Sequence, residues 1–160
     1  MLVRRAEPGE YEAIGAVTVA AYEPFLNDVG SDYRKHLAGA ERRDAEAELW
    51  VAELDDRIVG TVTYCPLGSP WHEMASEGEG EFRMLAVHPD GQGHGVGTAL
   101  VETCEERARA EGLRSMVLCS QASMAAAHRL YVRQGYTRAP ERDWEPVPGV
   151  DLVAFVKELL

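Results

Sequence analysis

The feature that most constrains this chain is a run of alternating glycines between a strand-like segment and a helix-like segment. Glycine stands at positions 91, 93, 95 and 97. Because glycine has no Cβ atom, the backbone N–H groups of such a run can approach a ligand closely. The start of the following helix adds unpaired N–H donors and the positive end of the helix dipole. The pattern predicts a site for a phosphate or pyrophosphate, against the plainer alternative of a glycine-rich turn without a ligand.

The spacing of these glycines shows which known types of phosphate-binding loop the chain does not match. A Walker loop needs a lysine directly after its last glycine, and no lysine follows any of these glycines. The dinucleotide-binding fingerprint, G-x-G-x-x-G, needs a third glycine three residues after the second. Counted from each of the first three glycines, that position holds Val96, Thr98 or Leu100 instead. A nucleotide-binding protein is therefore disfavoured.

Hydrophobic spacing and turn signals predict a mixed α/β domain with the element order βααβββαβαββ and without repeats or long linkers. The predicted strands cover residues 2–5, 49–54, 57–64, 81–87, 116–119, 136–138 and 152–157. The predicted helices cover residues 8–24, 32–48, a segment from the glycines to about residue 111, and 123–134, with Ser123 as the cap of the last.

Length and composition indicate one ordinary globular domain over residues 1–160, with 46% hydrophobic and 27% charged residues. No stretch approaches the ~20 apolar residues that cross a bilayer, and the N-terminus does not resemble a signal peptide. We therefore expect a cytoplasmic protein without a membrane partner. The three cysteines are odd in number and far apart, which favours reduced thiols, and the histidines show no metal-ligand spacing, so no metal is expected.

The net charge of −11 argues against nonspecific nucleic-acid binding, because that binding needs lysine and arginine to meet phosphates. The charge is compatible with a cationic substrate, although a simple role in solubility is the plainer interpretation.

Three short motifs stand in order along the chain. The glycine run contains the pattern Q-x-x-G-x-G, formed by Gln92, Gly95 and Gly97. Upstream, residues 81–89 read EFRMLAVHP, and downstream, residues 127–136 read AHRLYVRQGY. Together they resemble the GNAT superfamily of acyl-CoA-dependent N-acyltransferases: its acyl-CoA pyrophosphate loop, its fourth strand with the exit, and its second signature, A-x-x-L-Y-x-x-x-G-F/Y. The element order also matches over essentially the whole chain, which implies the GNAT fold.

The resemblance implies acetyl-CoA as the acyl donor. It implies a fourth strand that separates from the fifth at a bulge, with the pantetheine arm in the gap, paired with the main chain of Leu85, Ala86 and Val87. Met124 stands where the family often has an asparagine that touches CoA, so Ser123 or Gln121 would replace that contact. The pyrophosphate would meet the loop residues Gln92, Gly93, His94, Gly95, Val96, Gly97 and Thr98.

Glu81 and Tyr131 are the catalytic candidates that the resemblance implies. An alkyl ammonium has a pKa near ~10, so a base helps it to lose a proton, directly or through water. Family members often keep a glutamate where Glu81 starts the fourth strand, and strand alternation would put it on one face with Arg83 and Leu85. Tyr131 would protonate the leaving thiolate, and a backbone N–H near Leu85 would stabilise the oxyanion. The alternatives are a surface carboxylate at Glu81 and a core tyrosine at Tyr131.

These features predict an N-acetyltransferase that moves an acetyl group from acetyl-CoA to a primary amine by direct attack in a ternary complex. The alternative is a noncatalytic acyl-CoA sensor or assembly module of the same fold, which would need neither Glu81 nor Tyr131. The acceptor is a small-molecule or peptide amine, and a homodimer is compatible with the sequence. The aromatic residues expected around the acceptor are Tyr22, Phe25, Tyr33, Trp71, His72 and Trp144.

Overall fold

The computed structural model describes residues 1–26 and 31–160, and within them one mixed sheet of eight strands carries five α-helices. The strands are β1 (Leu2–Arg5), β2 (Glu48–Leu54), β3 (Arg57–Cys65), β4 (Glu79–Val87), β5 (Ser115–Gln121), β6 (Thr137–Arg138), β7 (Trp144–Val147) and β8 (Val150–Glu158). The helices are α1 (Tyr11–Tyr22), α2 (Ser31–Ala38), α3 (Ala40–Glu46), α4 (Val96–Ala110) and α5 (Ala125–Arg133).

The sheet runs in the order β1-β2-β3-β4-β5-β8-β6, and β7 pairs with β8 outside this path. The first four strands are antiparallel neighbours, whereas β4 and β5 are parallel. A parallel pair needs a crossover connection, and α4 supplies it. The predicted mixed α/β class is therefore confirmed, with the glycine run at the point where β4 passes into the crossover helix.

Helices cover both faces of the sheet. Alternate residues of β2 enter different clusters: Leu49 and Val51 pack with Ile14 of α1 and Ala40 of α3, whereas Ala52 faces the α4 side. The predicted apolar stripe of α4 is confirmed, because its members belong to the main hydrophobic core and are at most 2% exposed. This stripe consists of Val96, Leu100, Cys104 and Ala108.

The element order differs from the prediction at two places. The helix predicted over residues 32–48 is two helices that meet at Gly39, where Arg43 donates hydrogen bonds to the carbonyls of His36 (3.1 Å) and Leu37 (3.0 Å) and so satisfies the end of α2. The additional strand, β7, was not predicted. It is exposed throughout and contains Pro146, so its sequence shows no alternation of apolar and polar residues.

The start of the last helix was also predicted wrongly. α5 begins at Ala125, and its N-cap is Met124, which makes no side-chain capping hydrogen bond. Ser123 lies outside the helix and is exposed. Among the described residues, no helix is both long enough and apolar enough to cross a lipid bilayer.

Candidate active site

Strands β4 and β5 separate halfway along their length. They pair only where residues 79–81 meet residues 115–117, although both strands continue well beyond this point. The cause lies on the other side of β4, where Thr61 pairs with Ala86 but Thr63 pairs with Arg83, so that two residues of β4 oppose one of β3. Met84 stands in this bulge with a left-handed φ of 54°. Bulges bend a strand and end its pairing, so a gap opens between β4 and β5.

The bulge also changes which residues share a face. Met84 packs with Trp71 and Cys65, whereas Leu85 joins Phe82 in the main core. The predicted alternation, with Leu85 on the face of Glu81, was therefore wrong beyond Arg83, because the extra residue shifts the period of two by one.

A cavity of about 1050 Å³ occupies the gap. Its wall includes Leu85 on one splayed strand and Leu118 on the other, the turn before α5 with Ser123, and the β7–β8 hairpin. The carbonyl of Leu85 accepts a hydrogen bond from the Tyr22 hydroxyl (3.3 Å). Beyond Glu81, β4 therefore has no partner on β5, and the Leu85 carbonyl is bonded to Tyr22 instead.

Half of the aromatic residues predicted around the acceptor line this cavity, namely Tyr22, Phe25 and Tyr33. The others do not. Trp71 is only 7% exposed and stacks on the ring of His36, with 5.6 Å between centroids. The remaining two are His72, whose Nε2 lies 2.8 Å from the Cys65 carbonyl oxygen, and Trp144, which is 40% exposed on β7.

The four glycines of the loop have two different roles. Gly93 and Gly95 have left-handed φ angles of 81° and 75°, and a Cβ atom on either would meet nothing within 4 Å. Gly91 and Gly97 are packed: a Cβ atom would lie 2.8 Å from Cβ of Val59 and 2.9 Å from Cδ2 of Leu130, respectively. The first pair therefore gives an open, ligand-accessible turn, whereas the second pair lets β3 and α5 approach the loop.

The helix that follows the loop presents free donors. The first bond of α4 runs from the Ala99 N–H to the Gly95 carbonyl (3.0 Å), so the N–H groups of Val96, Gly97 and Thr98 have no helical acceptor. The exposed ring of His94 folds back onto its own loop, with Nδ1 3.0 Å from the Gln92 carbonyl oxygen. These groups fit an anion at the helix N-terminus.

Glu81 lies inside the protein and not on the cavity wall. Its side chain is fully buried, and Oε1 accepts hydrogen bonds from the backbone N–H groups of Glu73 (3.0 Å), Met74 (3.0 Å) and Ala75 (3.1 Å). Oε2 is buried without a hydrogen-bond partner among the described residues. Glu81 is therefore neither the surface carboxylate nor the cleft-facing group that the sequence left open, and its contacts hold the segment before β4.

Tyr131 lies at the bottom of the cavity. It is 4% exposed, and its ring packs against Phe155, Tyr136 and Phe82 with centroid distances of 5.5, 6.0 and 6.1 Å. Burial raises the pKa of Tyr131 well above its usual value, so the phenol is protonated at neutral pH. The side chain is thus a core residue, protonated at neutral pH, that borders the gap.

The cavity wall also carries an ion pair between Glu73 and Arg83 that was not predicted from the sequence. Arg83 also donates to the Trp71 carbonyl (3.2 Å), and its guanidinium lies 5.1 Å from the Trp71 ring centroid. Burial, partly offset by Arg83, raises the pKa of Glu73 above its ordinary value. Glu73 belongs to an irregular loop, so no hydrophobic periodicity could have identified it. The one available signal was Arg83, which stands two residues after Glu81 and was therefore predicted to share its face of β4.

In the described part of the chain, no group of three or more His, Cys, Asp or Glu side chains could hold a metal ion.

Sequence relatives of this chain are named acetyltransferases. Mycothiol acetyltransferase from Cellulomonas flavigena is 31% identical over 138 residues, which cover 73% of this chain and 38% of the relative. N-acetyltransferase 8B from Rattus norvegicus is 31% identical over 123 residues, which cover 74% of this chain and 53% of the relative. The chain thus spans about half or less of the length of these curated relatives.

Solved structures share the fold over the whole chain. An acetyltransferase of the GNAT family from Staphylococcus aureus Mu50 has a TM-score of 0.77 at 14% identity and matches 99% of both chains. YncA from Salmonella typhimurium, solved with its cofactor acetyl-CoA, has a TM-score of 0.70 at 24% identity, over 100% of this chain and 94% of that one. The family model described as acetyltransferase (GNAT) family matches residues 12–136. The chain therefore belongs to the acetyltransferase (GNAT) family.

Proposed function

We propose that this chain is an N-acetyltransferase that moves an acetyl group from acetyl-CoA to a primary amine by direct attack in a ternary complex. The observation that carries the proposal is the gap between β4 and β5, with unpaired backbone on its wall and Tyr131 at its bottom. An elongated donor with amide groups fits such a strand edge, and its pyrophosphate fits the open turn that follows β4.

The donor-binding residues divide between strand and loop. We assign the pantetheine amides to the main chain of residues 85–87, which has no partner on β5, and Ser123 lies on the cavity wall. Gly93 and Gly95 leave room for the pyrophosphate, while the N–H groups of Val96 to Thr98 donate to it. The side chains of Gln92 and His94 remain on the solvent side of this turn.

Direct attack is favoured because the cavity wall lacks an activated nucleophile among the described residues. Burial raises the pKa of Cys119 to about 12, so its thiol is protonated at neutral pH. The hydroxyl of Ser120 lies 3.2 Å from Nε2 of His128, but that nitrogen also lies 3.0 Å from the carbonyl oxygen of Gln121. A carbonyl only accepts, so Nε2 carries a hydrogen and is not a base for Ser120.

In the proposed reaction the amine attacks the thioester carbon, and the C–S bond breaks as the amide forms. Tyr131 donates a proton to the leaving thiolate, and a backbone N–H at the bulge, at Leu85 or its neighbour, stabilises the oxyanion. That Glu81 itself takes the proton of the amine stays a prediction. Its three backbone contacts favour a positioning role, in which it fixes residues 73–75 beside the acceptor end of the cavity.

The acceptor is a primary amine on a small molecule or a peptide. We also assign the protein to the cytoplasm, since its three cysteines are free and a reducing compartment keeps them so. A noncatalytic acyl-CoA-binding module is the second candidate. It would bind acetyl-CoA without releasing CoA when tyramine, spermidine, methionine and a short peptide with a free N-terminus are offered.

Two matched glycine substitutions test the donor site. Gly95 and Gly112 have nearly the same φ, 75° and 76°, and the same empty surroundings. Gly95→Val and Gly112→Val should therefore lose similar stability, because each forces a side chain into the left-handed region at a cost of about 1–2 kcal/mol or more. Only Gly95→Val should abolish acetyl-CoA binding in calorimetry, since its side chain would occupy the place of the pyrophosphate. Equal affinities in the two folded variants would refute the loop assignment.

A further inference from the structure

Two carboxylates lie among the described residues of the cavity wall, Glu73 and Asp151. Asp151 is exposed on β8. Glu73 belongs to an exposed loop, but its side chain turns inward and is only 20% exposed. A partly desolvated carboxylate that borders a substrate cavity is suited to proton transfer.

Glu73 is fixed from several directions. Glu81 accepts hydrogen bonds from the backbone N–H groups of Glu73 and the two residues after it. Arg142 donates to the Met74 carbonyl at 2.8 Å, which ties the same segment to the C-terminal part of the chain. Arg83 pairs with the carboxylate itself. A buried acid on the neighbouring strand thus serves to orient a loop carboxylate, as catalytic groups require.

The surroundings of Glu73 raise the pKa of its carboxyl group above that of a free glutamate. Burial and the nearby Glu81 raise the pKa of Glu73, while Arg83 opposes them, and the balance lies above the ordinary value. Burial lowers the pKa of His36, which is therefore neutral near pH 7. The other titratable groups that face Glu73 are Tyr33 of α2, Cys65 of β3 and Cys119 of β5.

We propose that Glu73 is the group that takes the proton from the ammonium of the acceptor, and that Glu81 is the positioning residue that holds it. This inference rests on the proposed function. The ammonium passes one proton to Glu73, and the neutral amine then attacks. The nitrogen gives its second proton to water in the cleft as the amide forms and the C–S bond breaks. The thiolate takes a proton from Tyr131, and the protonated water returns one to Tyr131. Glu73 then releases its proton to solvent, so the reaction releases one proton overall.

The test compares three glutamate-to-glutamine variants, because each makes the same chemical change at a different place. Glu73→Gln removes the proposed base. Glu81→Gln keeps an oxygen that can accept from the same backbone N–H groups. Glu77→Gln, in the same loop and exposed, is the control. For each folded variant we would measure acetyl-CoA affinity by calorimetry, and kcat and KM between pH 6 and 10 with tyramine or spermidine, whichever of these two alkyl amines reacts faster.

A primary amine with a pKa near ~10 is neutral to only about 10⁻³ at pH 7. Glu73→Gln should therefore lose about 10²–10³-fold in kcat/KM at pH 7, with log kcat/KM rising with a slope near 1 up to the pKa of the amine. For the wild type and Glu77→Gln, kcat/KM should be independent of pH over that range. The pH profile of Glu81→Gln should keep the wild-type shape. The acetyl-CoA affinity of Glu73→Gln should equal that of the wild type.

Three results would overturn the inference. A wild-type profile in Glu73→Gln, with the slope appearing in Glu81→Gln instead, would make Glu81 the base. A rise in KM with unchanged kcat in Glu73→Gln would mean that the carboxylate only attracts the cation. A wild type that binds acetyl-CoA but neither binds nor acetylates any amine would refute the proposed function together with the inference, whereas the first two results would leave the proposed function intact.

Discussion

Two buried tyrosines that touch each other allow stability and catalysis to be separated. The rings of Tyr131 and Tyr136 lie 6.0 Å apart, and their side chains are 4% and 2% exposed. Their hydroxyls differ. That of Tyr136 donates to Oε2 of Glu105 at 2.9 Å, whereas that of Tyr131 makes no hydrogen bond to a described side chain and borders the cavity. Replacing each tyrosine by phenylalanine removes one oxygen atom and keeps the ring.

The two substitutions should have opposite consequences. Tyr131→Phe loses no described hydrogen bond, so the free energy of unfolding should stay within about 1 kcal/mol of wild type, while kcat falls by about 10²–10⁴. Tyr136→Phe loses a hydrogen bond to a charged group, which costs about 1.5–3 kcal/mol. We expect the lower end, because Lys157 still contacts both oxygens of Glu105 at 3.0 and 3.1 Å.

Thermal unfolding and steady-state kinetics on both variants form the assay. A cost of about 1.5 kcal/mol corresponds to a drop in Tm of about 3–6 °C for a chain of this size, so Tyr136→Phe should melt measurably earlier while keeping wild-type kcat. Near-wild-type turnover in Tyr131→Phe would remove this residue from the mechanism and leave it as a core residue. Loss of kcat in both variants would mean that packing around the shared cluster, not the proton of Tyr131, controls the rate.

Two further outcomes follow from ionisable groups elsewhere in the fold. The hydrogen bond from Arg142 lowers the pKa of Glu79 below its ordinary value of 4.5, so the contribution of the pair is present above pH 4.5 and is lost as the pH falls through the folded value. Arg142→Met should therefore reduce Tm most at pH 6 and progressively less below pH 4.5; a constant difference down to pH 3 would contradict the pairing. At pH 8 the native thiols of Cys65, Cys104 and Cys119 should react slowly with a thiol reagent, because burial raises the pKa of each one, and rapid labelling of Cys119 in the cavity would contradict this.

Local spacing was enough to predict the elements whose pattern is periodic. The stripe of α4 repeats at helical spacing, the glycines alternate, and Pro89 follows closely after β4, so the strand–loop–helix unit follows from neighbouring residues alone. The prediction that Tyr131 is the proton donor likewise rests on a motif of ten residues, and it stays a prediction. The break at Gly39 was missed because its stabilising contacts come from the side chain of Arg43, whose target the local pattern does not reveal.

The assembly of the site depends on contacts between distant segments. The family resemblance implied a bulge in the fourth strand, but its position at Met84 depends on the register between β3 and β4, and no residue type indicates that position. Positions 91 and 97 require glycine because Val59 and Leu130 pack against them, and these residues lie more than 30 positions away in sequence. The side chain of Glu81 points inward, where it accepts hydrogen bonds from three backbone N–H groups of the loop before β4. The bond from the Glu73 N–H holds Glu73 beside the cavity. Such contacts join segments that share no hydrophobic periodicity. Their geometry is therefore fixed by packing and hydrogen bonding in the folded chain, and not by the order of residues within any one element.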